Sequence, residues 1–407
     1  MSTRTVPGDH SSLAEALEAA DEGDTIALSG EHVVGMTIVT KAVTIAGGTL
    51  RGTDAAVLRL EADCTIEGLR IENDQHGIVV KEGSPRLEDL HFKVGGTAIA
   101  CGWEVTPHIL KARMERCAIG LSAQAKAAPL AEDLVITATG SGLFFTGEAT
   151  GTVSGCAIAA GQMAAVEVGA AAAPKLMRVR VAAAGRGGFF IHGTARPELY
   201  GCEALRCGLA AVEVTGEADP TFDGLTIKEG GAGGLFLHGD SRGTYLEVEV
   251  DGGALASIEI HENARPELER GLLKGSRSGG IFVHGNANVE LVDFRISGCT
   301  FQGLEIAENA EVKAENCTLS GIQSHGVFLR DKARLGMVGC TIEEGMDCGV
   351  LGQDAAMATI EGGRIGKHRS ASIRSEGGAV FVLDPLVEVI GPTEALGHGA
   401  IHRVGEA

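Results

Sequence analysis

The residues with the most chemical potential in this chain stand in a row. Phe144, Glu167, Phe190, Glu213, Phe236, Glu259, Phe282, Glu305 and Phe328 follow one another at steps of 23, so phenylalanine and glutamate alternate over nine positions. Two residues further on lie His192, His238, His261 and His284, the last three at consecutive steps. Regularly spaced carboxylates could do acid–base work on a glycoside, stacked imidazoles beside a carboxylate could bind a transition metal, and a stripe of rings could grip another surface.

The spacing weighs these chemistries differently. If each step is one strand separation of about 4.8 Å, successive glutamates lie about 9.6 Å apart, at the edge of the roughly 6.5–9.5 Å range of inverting glycosidases. The four glutamates are equivalent, however, and single out no pair, so no catalytic residue is expected. His238, His261 and His284 with Glu259 are the nearest approach to a metal-ligand set. The competing reading is a turn-side histidine ladder that satisfies backbone carbonyls, and neither a metal nor another cofactor is expected. Two readings of the Phe/Glu stripe stay open: cross-strand packing roofed by the C-terminal tail, or a binding face for a protein partner, a second copy or a polysaccharide. The alternation has an electrostatic motive. Glutamates about 4.8 Å apart repel by about 0.9 kcal/mol even at the dielectric of water, and an interposed Phe halves that.

A stripe of this kind needs a scaffold that repeats every 23 residues, and the apolar positions supply it. One row reads Leu143, Val166, Phe189, Val212, Leu235, Ile258, Ile281, Leu304, Val327, Val350, Ile373; another, two residues along, reads Phe145, Val168, Ile191, Val214, Leu237, Ile260, Val283, Ile306, Leu329. Paired apolar positions flanking one variable position mark a short strand with one face inward. A second strand follows through Ile158, Val181, Ile227 and Val250, and a third, weaker set runs through Val153, Leu176, Leu199 and Phe222. Three short strands per 23 residues with bends between them predict a coil of a parallel β-helix. The expected fold is therefore all-β, a right-handed parallel β-helix of about 15 coils with a 22–23-residue period and a short N-terminal capping helix. Residues 1–42 are expected as the N-terminal cap (helix plus first strand), 43–383 as the helix proper, and 384–407, which lose the phase, as a C-terminal cap or tail. Asn263, Asn286 and Asn309, one step apart, predict an asparagine turn ladder.

Composition agrees with an elongated repeat. Glycine makes up 60 of the 407 residues, about twice the average usage of roughly 7%, while aromatics are only 4%. The net charge of −20 repels nucleic acid and anionic membrane, so neither is an expected partner. No apolar run reaches the roughly 18 residues of a membrane-spanning helix. The ten cysteines are scattered among apolar neighbours and read as buried thiols. With no apolar core in the first ten residues, a cytoplasmic protein is the default expectation, export by a non-classical route being left open. Arg364, Lys367, His368, Arg369 and Arg374 form the one basic cluster, a solvated last coil or a docking patch for an acidic partner.

The opening run Ser12-Leu13-Ala14-Glu15-Ala16-Leu17, followed by Val43-Thr44-Ile45-Ala46-Gly47, resembles the start of right-handed parallel β-helix proteins of the pectin-lyase-like superfamily. Units such as Gly326-Val327-Phe328-Leu329 through Gly339-Cys340-Thr341-Ile342 resemble the repeats of its non-enzymatic and carbohydrate-binding branches, which include F-box β-helix proteins and periplasmic nitrous-oxide-system maturation proteins. The resemblance covers nearly the whole chain and implies a fold. The Asp-Asp and Asp-Pro-His-Asp signatures of the superfamily's lyases and hydrolases do not occur. The resemblance thus favours a non-enzymatic binding or scaffold protein, with a polysaccharide-binding or polysaccharide-active protein as the alternative.

Overall fold

The computed structural model describes residues 2–405. Among them the backbone forms parallel strands and one helix, and it winds about 17 turns against the roughly 15 expected. The chain divides into two compact units, Met1–Glu203 and Ala204–Ala407.

The first unit opens on a strand that the repeat pattern does not reveal. Thr3–Val6 pairs in parallel with Thr25–Leu28. Asp24 ties the two ends together, accepting the Ser2 amide at 2.6 Å, the Asp21 amide at 3.1 Å and the Arg4 guanidinium at 3.2 Å. Those donors hold its carboxyl well below the usual carboxylate range, the Ser2 backbone amide first. The helix Leu13–Ala19 follows. Ser12 Oγ accepts the Glu15 amide at 3.2 Å, and the Glu15 carboxylate accepts the Ser11 amide and hydroxyl at 3.0 and 2.7 Å, so the cap is reciprocal. Leu13 and Ala16 are buried. At the other end Lys41 Nζ donates to the carbonyls of Leu17, Glu18 and Ala20 at 2.8, 3.0 and 2.7 Å. A helix C-terminus leaves its last carbonyls unbonded and carries negative partial charge, so a cation suits it.

Both units then repeat one coil of three strands. In the first unit, Lys175–Met177, Arg180–Ala182 and Phe189–Ile191 lie in parallel register on Thr152–Ser154, Ala157–Ala160 and Val166–Val168. In the second unit Leu235 pairs with Ile258, Ile258 with Ile281 and Ile281 with Leu304. Each inward residue therefore sits on its own equivalent, and the aliphatic rows are buried throughout. Each regular coil turns three corners, and each corner has one left-handed residue, as at Arg178 (φ 52°), Gly193 (φ 72°) and Ala183 (φ 53°). Glycine adopts this conformation without the Cβ penalty, and it recurs at these corners, for instance at Gly216, Gly239 and Gly285. This is where much of the glycine surplus goes.

All ten cysteines are free and buried. Burial pushes the Cys117 thiol up to about 11 and that of Cys101 up to about 12. At the C-terminal end Glu388–Ile390, Thr393–Ala395 and Ala400–Arg403 pair in parallel with Arg364–Gly366, Ile373–Ser375 and Val380–Leu383. These residues take a place in the coil stack and do not roof the Phe/Glu stripe. The step shortens to 20 for two of these three strands, so the 23-residue phase is lost from the sequence.

Replacing Lys41 by Met should cost the capping helix about 1 kcal/mol. We expect amide exchange about fivefold faster across residues 13–20 and unchanged at Ile258 and Ile281. Equal exchange rates in the variant would show that the three carbonyls do not depend on Lys41.

Candidate functional site

Strand register brings the sequence-predicted row together. In the second unit Glu213 pairs with Phe236, Phe236 with Glu259, Glu259 with Phe282, Phe282 with Glu305 and Glu305 with Phe328. In the first unit Phe144 pairs with Glu167 and Glu167 with Phe190. The two neighbours of each residue along its strand are buried, so the middle side chain must point outward. All nine side chains are half-buried.

Histidines cover part of six of them. His192 stacks on Phe190 with centroids 4.7 Å apart and His284 on Phe282 at 4.3 Å, while His238 meets Phe236 at 4.5 Å with its ring tilted by 31°. Two residues along a strand share a face, which lets ring meet ring. The same imidazoles reach back one coil to a carboxylate. His192 Nε2 lies 3.4 Å from Glu167, His238 Nε2 3.4 Å from Glu213 and His284 Nε2 3.3 Å from Glu259. At the next repeat an arginine takes the histidine's place, with Arg330 Nε 3.2 Å from Glu305. The motif is a ladder of Phe, cation or imidazole, and carboxylate, renewed every second coil. Spacing the glutamates two coils apart reduces their repulsion, and the pairing adds a direct reason for the alternation: each glutamate faces a donor from the Phe-bearing coil that follows.

His261 stands in the middle of this ladder. Its ring is parallel to those of His238, at 5.3 Å, and His284, at 4.9 Å. Burial, and after it the charge of His284, lower its pKa. The Glu259 carboxyl is also lowered, chiefly by the His284 hydrogen bond. Glu259 is thus engaged by His284, and Glu262 is the carboxylate nearest to both His238 Nδ1 (3.8 Å) and His261 Nδ1 (4.0 Å).

The asparagine ladder forms, with Asn286 Nδ2 donating to Asn263 and Asn309 Nδ2 to Asn286, each at 3.2 Å. The left-handed residues, however, are the neighbouring Glu262, Gly285 and Glu308. The basic cluster is largely engaged in ion pairs. Lys367 meets Glu343 and Glu344 at 3.3 and 3.4 Å, Arg374 meets Glu394 at 2.8 Å and Arg364 meets Glu388 at 3.9 Å.

Sequence reasoning missed two features. Leu209, Leu255 and Phe301 recur every 46 residues at the bend that leads into a Glu-bearing strand, and Met346 follows one residue short of the next step. They are 45% to 53% exposed, the most open large apolar side chains near the ladder. The 46-residue period that revealed the Phe row would also have found them. In the first unit a groove of about 480 Å³ is lined by Arg51, Glu72, Asn73, Asp74, Lys93 and Arg116. No simple spacing in the sequence announces it, because the early coils lack the strict period.

A family model described as the right-handed beta helix region matches residues 107–247 and 210–365. The chain belongs to the right-handed β-helix family. No curated protein sequence matches it. Solved structures similar in fold include the periplasmic alginate epimerase AlgG, at 12% identity and a TM-score of 0.38 over 89% of this chain and 78% of that one. The A-module of the mannuronan C-5 epimerase AlgE4 of Azotobacter vinelandii matches at 11% identity and 0.34, over 97% and 94%. A chain of the Vag8–C1 inhibitor complex matches at 12% identity and 0.43, over 94% of each. The likeness is one of fold. The cytoplasmic expectation is corrected here: AlgG is periplasmic, and the ten thiols behind that expectation are too deeply buried to report on a compartment.

Beside the ladder, His368 offers a clean pH test. Its Nδ1 accepts the Gly345 amide at 3.2 Å and its Nε2 lies 3.1 Å from the Ile342 carbonyl, which fixes the neutral ring with its proton on Nε2. Burial lowers its pKa. The stability it supplies is therefore complete above the unfolded value of about 6.5 and is lost as pH falls through the lower folded value. Gly345 should gain exchange protection as pH rises through that window, beyond the intrinsic base catalysis of exchange. A His368→Phe variant with the same pH profile would show that this bond does not govern the loop.

Proposed function

We propose that the protein is a non-enzymatic binding β-helix that docks a protein surface along the ladder face of its second unit. The observation that carries this reading is the exposed apolar row Leu209, Leu255, Phe301 and Met346, which recurs beside the Phe/Glu/His ladder. Exposed apolar groups in register lower their free energy by leaving water, at about 25 cal/mol per Å². A row so regular suits a partner with the same period, and a second copy of the chain has that period by construction. The carboxylates of the ladder are engaged by imidazole or guanidinium groups, which suits a stable surface better than an acid–base pair. Replacing Leu255 and Phe301 by Ser should leave the circular dichroism unchanged and shift a self-associated wild type to monomer in analytical ultracentrifugation. A wild type that stays monomeric at about 100 μM would remove the second copy as occupant.

A specific observation favours a second reading, binding of an acidic polysaccharide. The groove of the first unit carries Arg51, Lys93 and Arg116 on a chain that is otherwise strongly acidic, together with the hydrogen-bonding groups of Asn73 and Asp74. Cations of this kind pair with the carboxylates of a uronate polymer. With alginate as the probe, Lys93→Glu with Arg116→Glu should reduce affinity at least tenfold, and added salt should do the same to the wild type. Retention of alginate binding by the double variant would move the site elsewhere.

A further inference from the structure

The ladder explains every histidine in its row except one. Two residues after the Phe/Glu position the chain reads His192, Thr215, His238, His261, His284, Ala307 and Arg330. On the Phe-bearing coils this position holds a base that reaches back to a glutamate. On the Glu-bearing coils the position holds Thr215 and Ala307, and His261 breaks the rule. Glu259, on its own coil, is engaged by His284. The next residue, Glu262, sits at a left-handed corner (φ 60°) where the equivalent residues of the two flanking coils are Gly239 and Gly285. Glu308 and Asp331 occupy equivalent left-handed corners further along (φ 61° and 60°), so Glu262 is one of a set of corner carboxylates, and His261 is the departure that sets this coil apart.

We propose that His238, His261 and Glu262 form a binding site for a divalent transition metal of the zinc class. Their ligand atoms lie within 4.8 Å of one another. Glu262 Oε2 is 3.8 Å from His238 Nδ1, and Glu262 Oε1 is 4.0 Å from His261 Nδ1. Tetrahedral zinc with bonds of about 2.0–2.1 Å sets its donor atoms about 3.3 Å apart, so closure asks the two Glu262 contacts to tighten by about 0.5 and 0.7 Å and the two parallel imidazoles to turn their Nδ1 atoms toward one point. The surroundings already favour ligation. In neutral His238 the carboxylate of Glu213 accepts from Nε2–H at 3.4 Å, which leaves the lone pair on Nδ1. A carboxylate on the far nitrogen is the usual partner of a metal-bound imidazole. Nδ1 is met by the Thr215 hydroxyl at 3.2 Å, a bond the metal would displace. The Gly239 amide donates to Glu262 Oε2 at 2.7 Å and orients that carboxylate. The site opens to solvent, so a water or a partner's side chain completes the fourth position.

The cluster of His325, Asp347 and Cys348 is the obvious rival and fits less well. His325 Nδ1 accepts the Cys348 amide at 3.3 Å, which places the neutral ring's proton on Nε2, the atom that faces Asp347 at 3.7 Å. That nitrogen has no lone pair to give.

The test uses the full chain after treatment with EDTA. Zinc chloride titrated into it should bind at one equivalent and raise the unfolding temperature. Both effects should disappear in His261→Gln and in Glu262→Gln and persist in His192→Gln, whose ring has the same Phe and Glu neighbours but no imidazole stack. Cobalt substituted into the wild type gives a readout that needs no variant. Visible bands without a near-ultraviolet thiolate band support the site, and a thiolate band assigns the metal to a cysteine, Cys348 or another of the ten, and overturns the proposal. No binding, or binding retained by both His261→Gln and Glu262→Gln, overturns it as well.

Discussion

Parallel in-register stacking at a fixed step places every side chain on its own equivalent one coil away. The rest of the structure depends on that constraint. For apolar residues it is favourable without further conditions, since similar branched side chains nest and exclude water; Ile258 on Ile281 on Leu304 is one such column. For asparagine it is also favourable, because an amide can donate up the column and accept from below, as Asn263, Asn286 and Asn309 do. For a charge it is unfavourable, because the nearest neighbour of a glutamate would be another glutamate.

The outward ladder is the answer to the last case. Doubling the period to 46 puts a phenylalanine between glutamates and gives each glutamate a donor from the following coil. The two devices reinforce one another. The imidazole that serves the carboxylate also lies on the ring of its own coil, so one side chain screens a charge and shields an apolar surface. Arg330 serves the carboxylate where histidine gives out, and its permanent charge removes the pH dependence of a histidine rung. The stripe is consequently better satisfied than a free aromatic surface would be, and the unsatisfied apolar surface lies beside it, at Leu209, Leu255, Phe301 and Met346.

How much of this was legible in the sequence follows from the same constraint. Anything that repeats in phase can be read: the inward rows, the three strands, the Phe/Glu alternation and the asparagine column all come from counting by 23. Side-chain reach cannot be counted. The link from His284 to Glu259 spans 25 residues, one coil plus the two that separate neighbours on a face, and nothing in a list of equivalents points to it. Nor does periodicity disclose what lies outside the phase. Thr3–Val6 forms a strand because Asp24 collects its polar groups, the last coil is shortened, and the groove around Lys93 and Arg116 is built from early coils of irregular length.

A strict repeat also changes what counts as a signal. In an ordinary fold a histidine near a glutamate is weak grounds for chemistry, since surface ion pairs are common and worth little. Here the repeat supplies its own control, for the equivalent positions show what the scaffold needs. Four bases recur because the ladder needs them, so their presence says nothing more. His261 answers no such need, whereas Glu262, like Glu308, accepts the corner amide of the coil before it. Three stacked imidazoles are costly once charged. Departures of that kind from a self-consistent pattern are where function is most economically sought, and this one stands beside a corner carboxylate whose oxygens face both His261 and His238.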